Sequence, residues 1–137
     1  RVDLHESMTE KRYRKYEHII EKYSFVREYG TKNAEVGILA WGSTKGVVKE
    51  AVEGLTEEGV KVHAMIPQLL HPFPKKVFDK FLKGKKKLIV AELSYRGQFL
   101  QFIRSRCDID AEIIHHARAG GKSFSVREIR KVVTEAI

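Results

Sequence analysis

The sequence has 137 residues, of which 42% are hydrophobic and 32% charged, and a formal net charge of +8. This length predicts one domain with a core of two or three layers. No apolar run approaches the ~20 residues of a membrane-spanning helix. The lone Cys107 excludes a disulfide framework and a multi-cysteine metal or iron–sulfur site within the chain. We therefore expect a cytoplasmic protein with no membrane partner and no metal site of its own.

An amphipathic helix is predicted over residues 6–23, where apolar residues recur at three- and four-residue steps. They are Met8, Tyr13, Tyr16, Ile19, Ile20 and Tyr23. A short edge strand is predicted over residues 25–28. We assign residues 1–33 to an N-terminal helix and connecting segment from a missing upstream domain, and residues 34–137 to an α/β domain. Because Arg1 is not a methionine, we expect a fragment of a longer protein.

The stretch from residue 36 to Gly46 predicts a strand that enters a helix through a tight turn. Ser43 or Thr44 is a natural N-cap for that helix, expected over residues 45–57. The turn reads G-x-x-x-G, which is neither the G-x-G-x-x-G of dinucleotide-binding folds nor the P-loop motif. The pattern therefore indicates the binding edge of an α/β sheet, and it argues against a free-standing nucleotide-binding domain.

Strands and helices continue to alternate along the rest of the chain. The predicted strands are 60–65, 88–91 and one centred on 113–114, and the predicted helices follow Pro74, cover about 96–106 and follow Ser125. Gly59 is expected to end the first of the helices in the α/β domain, and Ser125 with Glu128 forms a capping box for the last one. This alternation predicts a three-layer α/β/α fold around a mostly parallel sheet.

Functional groups of such a sheet are expected at the carboxyl ends of its strands, where Glu92 is the only carboxylate. With no histidine or second acid expected beside it, Glu92 cannot form the acid–base pair that general catalysis uses. It is expected to bond backbone amides or a partner instead. His115 and His116 are adjacent on a strand, so they point to opposite faces and cannot chelate one metal ion. We predict no catalytic, cofactor-binding or metal-binding residue in this chain.

Positive charge is concentrated in residues 75–87, which hold seven lysines and one acid, Asp79. This cluster is either a solvated helix end or a surface for nucleic acid or an acidic protein. It has no arginine and no exposed aromatic residue that would stack on bases. Cys107 is expected to be half-buried, although Arg104 and Arg106 beside it would favour a thiolate.

An ordered series of short motifs carries a resemblance to one family. The series is Lys11-Arg12-Tyr13-Arg14-Lys15, Trp41-Gly42-Ser43-Thr44-x-Gly46, Glu50-Ala51-Val52, Glu58-Gly59, Pro72-Phe73-Pro74, Glu92 and Gly97-Gln98-Phe99. It resembles the C-terminal domain of the α subunit of 2-oxoacid:ferredoxin oxidoreductases over the whole chain. The departure lies at residues 119–124, where Ala-Gly-Gly-Lys-Ser-Phe replaces an Asp-Gly-Arg-Pro-Phe kind of turn. The resemblance implies a transketolase C-terminal-like fold, a five-stranded sheet with one antiparallel strand, for which residues 25–28 are the candidate.

The resemblance also implies an activity for the whole enzyme. The family oxidatively decarboxylates 2-oxoacids with coenzyme A, using thiamine diphosphate, magnesium and iron–sulfur clusters, and passes electrons to ferredoxin. Thiamine diphosphate sits between other domains, and this chain has no Gly-Asp-Gly motif. The chain is therefore expected to be a non-catalytic structural and interface domain of an oligomer, with the enzyme's other domains and subunits, and ferredoxin through them, as partners. The alternative is a basic RNA-binding module similar to an anticodon-binding domain.

The residues expected to form the interface lie at the carboxyl edge of the sheet. They are Trp41, Gly42, Ser43, Thr44, Gly46, Glu92, Tyr95, Gly97 and Gln98. An aromatic pair beside a carboxylate and an amide is typical of an interface. We expect this edge to be an exposed, partly apolar patch.

Overall fold

A computed structural model describes residues 26–94, 96–119 and 122–137. The helix predicted over residues 6–23 and the candidate interface residue Tyr95 lie outside these ranges. The strands are β1 (Val26–Gly30), β2 (Val36–Ala40), β3 (His63–Pro67), β4 (Lys87–Glu92) and β5 (Glu112–Ala117). The helices are α1 (Lys45–Glu57), α2 (Lys75–Leu82), α3 (Gln98–Arg106) and α4 (Val126–Ala136), and a short 3-10 helix covers Gly42–Thr44.

The five strands form one sheet in the order β1-β3-β2-β4-β5. All neighbours are parallel except β1, which runs antiparallel to β3 with Val26 opposite Pro67 and Gly30 opposite His63. The predicted fold class is confirmed, and the antiparallel strand is the one expected at residues 25–28. The sheet thus begins at Val26, upstream of the domain boundary predicted between residues 33 and 34.

Helices cover both faces of the sheet and give three layers. Side chains of α1 and α4 pack on one face with Ile38 and Ile89, and those of α2 and α3 pack on the other with Leu39 and Leu88. Adjacent residues of β2 and β4 thus enter opposite cores, and every residue of β2 is buried, as is typical of a central parallel strand. None of the described helices is long and apolar enough to cross a membrane.

The structure starts β3 later than the predicted strand 60–65, and the amide of Val60 belongs to the bonds that end α1. Gly59 has φ +85°, its amide donates to the carbonyl of Thr56, and the amide of Val60 donates to the carbonyl of Leu55. These bonds form a Schellman motif, so Gly59 ends the helix as predicted. The amide of Val60 is therefore part of the helix end, and strand pairing begins at His63.

The start of α4 follows the predicted cap. The hydroxyl of Ser125 accepts a hydrogen bond from the amide of Glu128 at 3.1 Å. Phe124 and Ile129, on either side of this turn, are both buried in the core under α1 and α4. The cap therefore positions the last helix on the sheet, as its sequence pattern indicates.

Candidate functional site

The carboxyl ends of β2 and β4 lie side by side in the centre of the sheet, and the chain leaves them toward opposite faces. β2 leads into α1 on one face, and β4 leads into α3 on the other. In open α/β sheets this divergence leaves a crevice in which ligands or partners bind. The predicted interface residues of segments 41–46 and 92–98 lie on its two sides.

Glu92 is the buried charge of this edge, with 1% of its surface exposed. Its Oε1 accepts hydrogen bonds from the Ser94 hydroxyl at 2.6 Å and the Phe99 amide at 3.0 Å. Its Oε2 accepts from the Leu100 amide at 3.1 Å and lies 2.8 Å from Nε2 of His115. Burial by itself would raise the pKa of Glu92, but these four hydrogen bonds outweigh it and hold the pKa below its ordinary value. The carboxylate is therefore fully engaged within this domain.

The first amides of α3 are occupied in the same arrangement. The Gln98 amide donates to the Ser94 hydroxyl oxygen at 3.1 Å, and the next two amides donate to Glu92. The expectation that Glu92 bonds backbone amides is confirmed. A helix N-terminus often binds phosphate, but the first amides of α3 already have acceptors, so the N-terminus of α3 does not fit a diphosphate cofactor.

His115 is the neighbour of Glu92 that the sequence reasoning missed. The expectation that no histidine lies beside Glu92 is wrong, because β5 pairs with β4 so that His115 is opposite Val90. Side chains two residues apart share a face of a strand, so His115 and Glu92 become diagonal neighbours. The sequence shows that His115 and His116 face opposite sides of the sheet, but it does not show which residues of β4 and β5 lie opposite each other.

The Glu92–His115 pair holds three elements together. A third of the His115 side chain is exposed, and its ring lies over Gly97, where a Cβ would come 2.8 Å from His115 Cε1. Gly97 also has φ +64°, so position 97 requires glycine for two reasons. His116 points to the other face and lies 2.7 Å from a Glu128 carboxylate oxygen, which confirms that the two histidines diverge. The pair anchors α3 and β5 to the end of β4.

The turn after β2 differs from its prediction at the helix cap. The expectation that Ser43 or Thr44 caps α1 with its side chain is wrong: the Thr44 hydroxyl donates to the carbonyl of Trp41 at 3.0 Å and accepts nothing from the helix. The reason is that the 3-10 helix runs directly into α1, so Thr44 has helical φ and ψ instead of the extended backbone of a capping residue. Gly42 begins the turn with φ +75°.

An aromatic cleft lies between the two segments. The rings of Trp41 and Phe99 stack with centroids 5.9 Å apart and planes 13° apart. The cleft has a volume of about 300 Å³ and is lined by Trp41, Leu70, Glu92, Leu93, Ser94, Gln98, Phe99 and Phe102. Because Glu92 and Ser94 are already hydrogen-bonded, the cleft presents mainly apolar surface, which suits apolar side chains better than a charged metabolite.

The predicted interface residues divide by exposure. Gly42, Ser43, Gly46 and Gln98 are exposed, and Trp41 is half-buried. Thr44, Glu92 and Gly97 are buried, which corrects the expectation that the whole edge is an exposed patch. The Thr44 hydroxyl and the Glu92 carboxylate are hydrogen-bonded within the domain, and the His115 ring fills the space beside Gly97. The surface open to a partner is therefore the 3-10 turn, the start of α1, and the rim of the aromatic cleft.

Two of the clustered lysines are structural rather than solvated. Lys85 is 7% exposed, with its Nζ 4.9 Å from the centre of the Phe81 ring, and Lys87 donates from Nζ to the carbonyl of Ala136 at 2.9 Å. Burial lowers the pKa of Lys85, which nearby Glu28 partly offsets. The expectation of a solvated lysine cluster is therefore wrong for these two positions.

Cys107 is not the reactive thiol that its arginine neighbours would favour. It is 5% exposed, more buried than predicted, and burial with the nearby Asp79 carboxylate raises its pKa to about 11. Within the described ranges, no group of three or more histidine, cysteine, aspartate or glutamate side chains is placed to hold a metal ion.

Known structures define the class of domain to which this fold belongs. The 2-oxoglutarate:ferredoxin oxidoreductase from Magnetococcus marinus, solved with 2-oxoglutarate, coenzyme A and succinyl-CoA bound, matches 96% of this chain over 23% of its own, with a TM-score of 0.81 and 40% identity. A split-gene transketolase, solved as an inactive β4 tetramer, matches 80% of this chain over 42% of its own, with a TM-score of 0.56 and 17% identity. The fold is therefore that of the transketolase-like α/β domains.

The sequence defines the family within that class. Residues 34–129 match the pyruvate:ferredoxin oxidoreductase core domain II. The α subunit of the 2-oxoacid:ferredoxin oxidoreductase from Saccharolobus solfataricus is 35% identical over 108 residues, which are 77% of this chain and 17% of that subunit. This chain belongs to the 2-oxoacid:ferredoxin oxidoreductase family, as the predicted resemblance indicated. This chain spans 17% of the length of the Saccharolobus solfataricus subunit and 23% of the length of the Magnetococcus marinus chain.

Proposed function

We propose that this chain is a non-catalytic structural and interface domain of the α subunit of a 2-oxoacid:ferredoxin oxidoreductase. The whole enzyme would oxidatively decarboxylate a 2-oxoacid to an acyl-CoA and pass the electrons to ferredoxin. The observation that carries the non-catalytic role is the state of Glu92. It is the buried carboxylate at the sheet's carboxyl edge, and all four of its hydrogen bonds are internal. A group so engaged has no hydrogen-bonding capacity left for a substrate.

The cofactors of the enzyme would be held by its other domains and subunits. Three observations support this placement: the α3 amides already have acceptors, no group of three or more possible metal ligands occurs among the described residues, and the single cysteine of the chain, Cys107, is buried. No step of the reaction is assigned to this domain. Nothing in the matches supports the RNA-binding alternative.

The interface would be built on the exposed part of the carboxyl edge. Gly42, Ser43 and Gly46 expose backbone beside the half-buried Trp41, and Gln98 adds an exposed amide across the crevice. Small residues let a partner approach the backbone closely, and a central aromatic with a polar rim is typical of interfaces. We propose that another domain or subunit of the enzyme packs here, within a cytoplasmic oligomer.

Bulky charged substitutions at this edge test the interface. In an enzyme reconstituted with the α subunit that carries this domain, we expect Ser43→Arg with Gln98→Arg to reduce both assembly, measured by size-exclusion chromatography, and 2-oxoacid-dependent ferredoxin reduction. The melting temperature of this chain alone should stay the same, because both side chains are exposed. The matched control Glu135→Arg, on the outer face of α4, should change neither readout. Normal assembly and activity of the double variant would contradict the proposal.

The absence of a catalytic role has a separate test. Calorimetry of the 137-residue chain with thiamine diphosphate and magnesium should give no micromolar binding. Heat of binding in that range would place part of the cofactor site in this domain and overturn the proposal.

A further inference from the structure

β5 lies at one edge of the sheet and pairs only with β4 among the described residues. The amides of Glu112 and Arg118 donate to the carbonyls of Lys86 and Glu92 at 2.9 and 3.3 Å. Backbone groups of successive residues alternate between the two sides of a strand, so the even-numbered residues of β5 face β4 and the odd-numbered residues face away. The residues that face away are Ile113, His115 and Ala117. Their N–H and C=O groups form an open row to which another strand can pair.

β5 lacks three of the features that protect a sheet edge from pairing. It contains no lysine and no proline, and its 6 residues pair with β4 in one unbroken register, so it has no bulge. Ile113 packs against the core under α2 and α3, and Ile114 packs against the core under α1 and α4. Both side chains are only partly buried. A strand added beside β5 would therefore gain apolar burial as well as hydrogen bonds.

Opposite charges lie at the two ends of β5. Asp108, Asp110 and Glu112 lie before the strand or at its start, and Arg118 and Lys122 follow it. A second β5 running antiparallel to the first would bring its basic end beside the acidic end of the first, and the same contact would recur at the other end of the pair. The charge pattern is therefore complementary to a second copy of itself, as a two-fold interface requires.

We propose that β5 pairs with β5 of a second copy of this chain across a two-fold axis, so that the two sheets become one. Hydrogen bonds can form only between residues that face outward on both strands, which here are the odd-numbered ones. A pair centred on His115 engages all three of them, with Ile113 opposite Ala117 of the second copy. This register also places Glu112 opposite Arg118 of the second copy, in a pair without backbone hydrogen bonds, where side chains approach most closely.

The contacts already made within one chain are compatible with this pairing. Arg118 contacts Glu128, but a guanidinium has more N–H donors than one carboxylate can use, so it can also bond Glu112 of the second copy. The pairing uses none of the residues of the interface proposed at the carboxyl edge. A failure of this inference is therefore distinct from a failure of the proposed enzyme role.

An exchange of charges tests the pairing and its register. In sedimentation velocity of the 137-residue chain, we expect a monomer–dimer equilibrium. Glu112→Arg and Arg118→Glu should each raise the dissociation constant about tenfold or more, because each places two like-charge pairs directly opposite one another. An equimolar mixture of the two variants should recover the dimer, since opposite charges then meet at both ends. Glu50→Arg, the same change at an exposed position of α1, is the matched control and should leave the dissociation constant unchanged.

Three results would count against the pairing. They are a chain that stays monomeric at every concentration, a dimer that Glu50→Arg weakens as much as Glu112→Arg, and a mixture that dimerises no better than either variant alone. Any of them would overturn the proposal.

Ala117→Pro tests the same edge without a change of charge. The Ala117 amide faces away from β4, so proline removes no hydrogen bond within the sheet but prevents one across the two-fold axis. We expect the dissociation constant to rise about tenfold or more, on the scale of one lost hydrogen bond with added steric hindrance. The far-ultraviolet circular dichroism should keep its native shape. Ala117→Ser retains the amide and is the matched control, and equally tight dimers of the proline and serine variants would contradict the proposal.

Discussion

The methylene stem of Lys85 occupies the space that a side chain at Gly37 would need. A Cβ built on Gly37 would lie 2.9 Å from Cδ and from Cε of Lys85. A glycine in a central strand normally weakens it, so its presence here is explained by the lysine that crosses over it. The ammonium of Lys85 then reaches the ring of Phe81.

Substitutions at Lys85 should separate the role of its stem from that of its charge. We expect Lys85→Met to leave the free energy of unfolding nearly unchanged, because the stem still packs on Gly37 and a partly buried charge is removed. Lys85→Glu should cost about 3 kcal/mol or more, because it leaves an unpaired buried charge near Glu28. The exposed Lys83→Glu is the control and should cost no more than about 1 kcal/mol. Urea unfolding measures all three, and a Lys85→Glu variant as stable as Lys83→Glu would contradict this interpretation.

Glu92→Gln should destabilise the domain although it is isosteric. Four donors point at the carboxylate, and a glutamine amide offers one acceptor oxygen and one NH₂ group that must face some of those donors. We expect a loss of about 2 kcal/mol, the scale of hydrogen bonds to a charged acceptor. Glu53→Gln, an exposed position on α1, is the matched control. Equal denaturation midpoints for the two variants would show that Glu92 is not an anchor of α3.

Substitutions at Gly42, in the turn after β2, and at Gly46, in the first turn of α1, should change the free energy of unfolding in opposite directions. Gly42→Val should cost about 1–3 kcal/mol, because φ +75° is strained for a β-branched residue even though the space around it is open. Gly46→Ala should gain up to about 1 kcal/mol, because Gly46 is helical and a Cβ there meets nothing within 4 Å. Thermal melting of both variants decides this. A Gly42→Val variant that melts with the unsubstituted chain would show that the turn does not need its left-handed residue.

His63 should make stability depend on pH in mildly acidic solution. Its Nε2 lies 2.8 Å from Glu28 Oε1, and burial lowers its pKa, with Lys85 and Lys32 adding to the effect and Glu28 opposing it. The unfolded chain then takes up a proton more readily than the folded one. Stability is therefore full above the ordinary value of 6.5 and declines as the pH falls below it toward the folded pKa.

The measurement is the free energy of unfolding at about pH 7.5 and about pH 5.5, both above the range in which Glu92 titrates. The unsubstituted chain should be less stable at the lower pH, and His63→Gln should reduce that difference. His71→Gln removes an exposed imidazole and serves as the control. An unchanged pH dependence in His63→Gln would assign the effect to other groups.

The sequence predicted those features that depend on local patterns. The strand that precedes the turn at Gly42, the Gly59 helix end and the Ser125 cap are each readable within a few residues. The contact between Glu92 and His115 depends on the register of two strands 20 residues apart, which no local pattern determines. The burial of Lys85 could not be predicted from the sequence either. Seven lysines within the thirteen residues 75–87 indicate a solvated surface, unless the space over Gly37 is known.

The positions of the two described ends of the chain have a consequence for protein engineering. Val26 enters at the carboxyl edge of the sheet, whereas Lys87 holds the carbonyl of Ala136 near the start of β4, at the opposite edge. A strand of this length spans about 17–20 Å. A circular permutant that joins Ile137 to Val26 would therefore need a linker of at least about six extended residues. Two reporter proteins fused at Val26 and Ile137 would lie at opposite edges of the sheet.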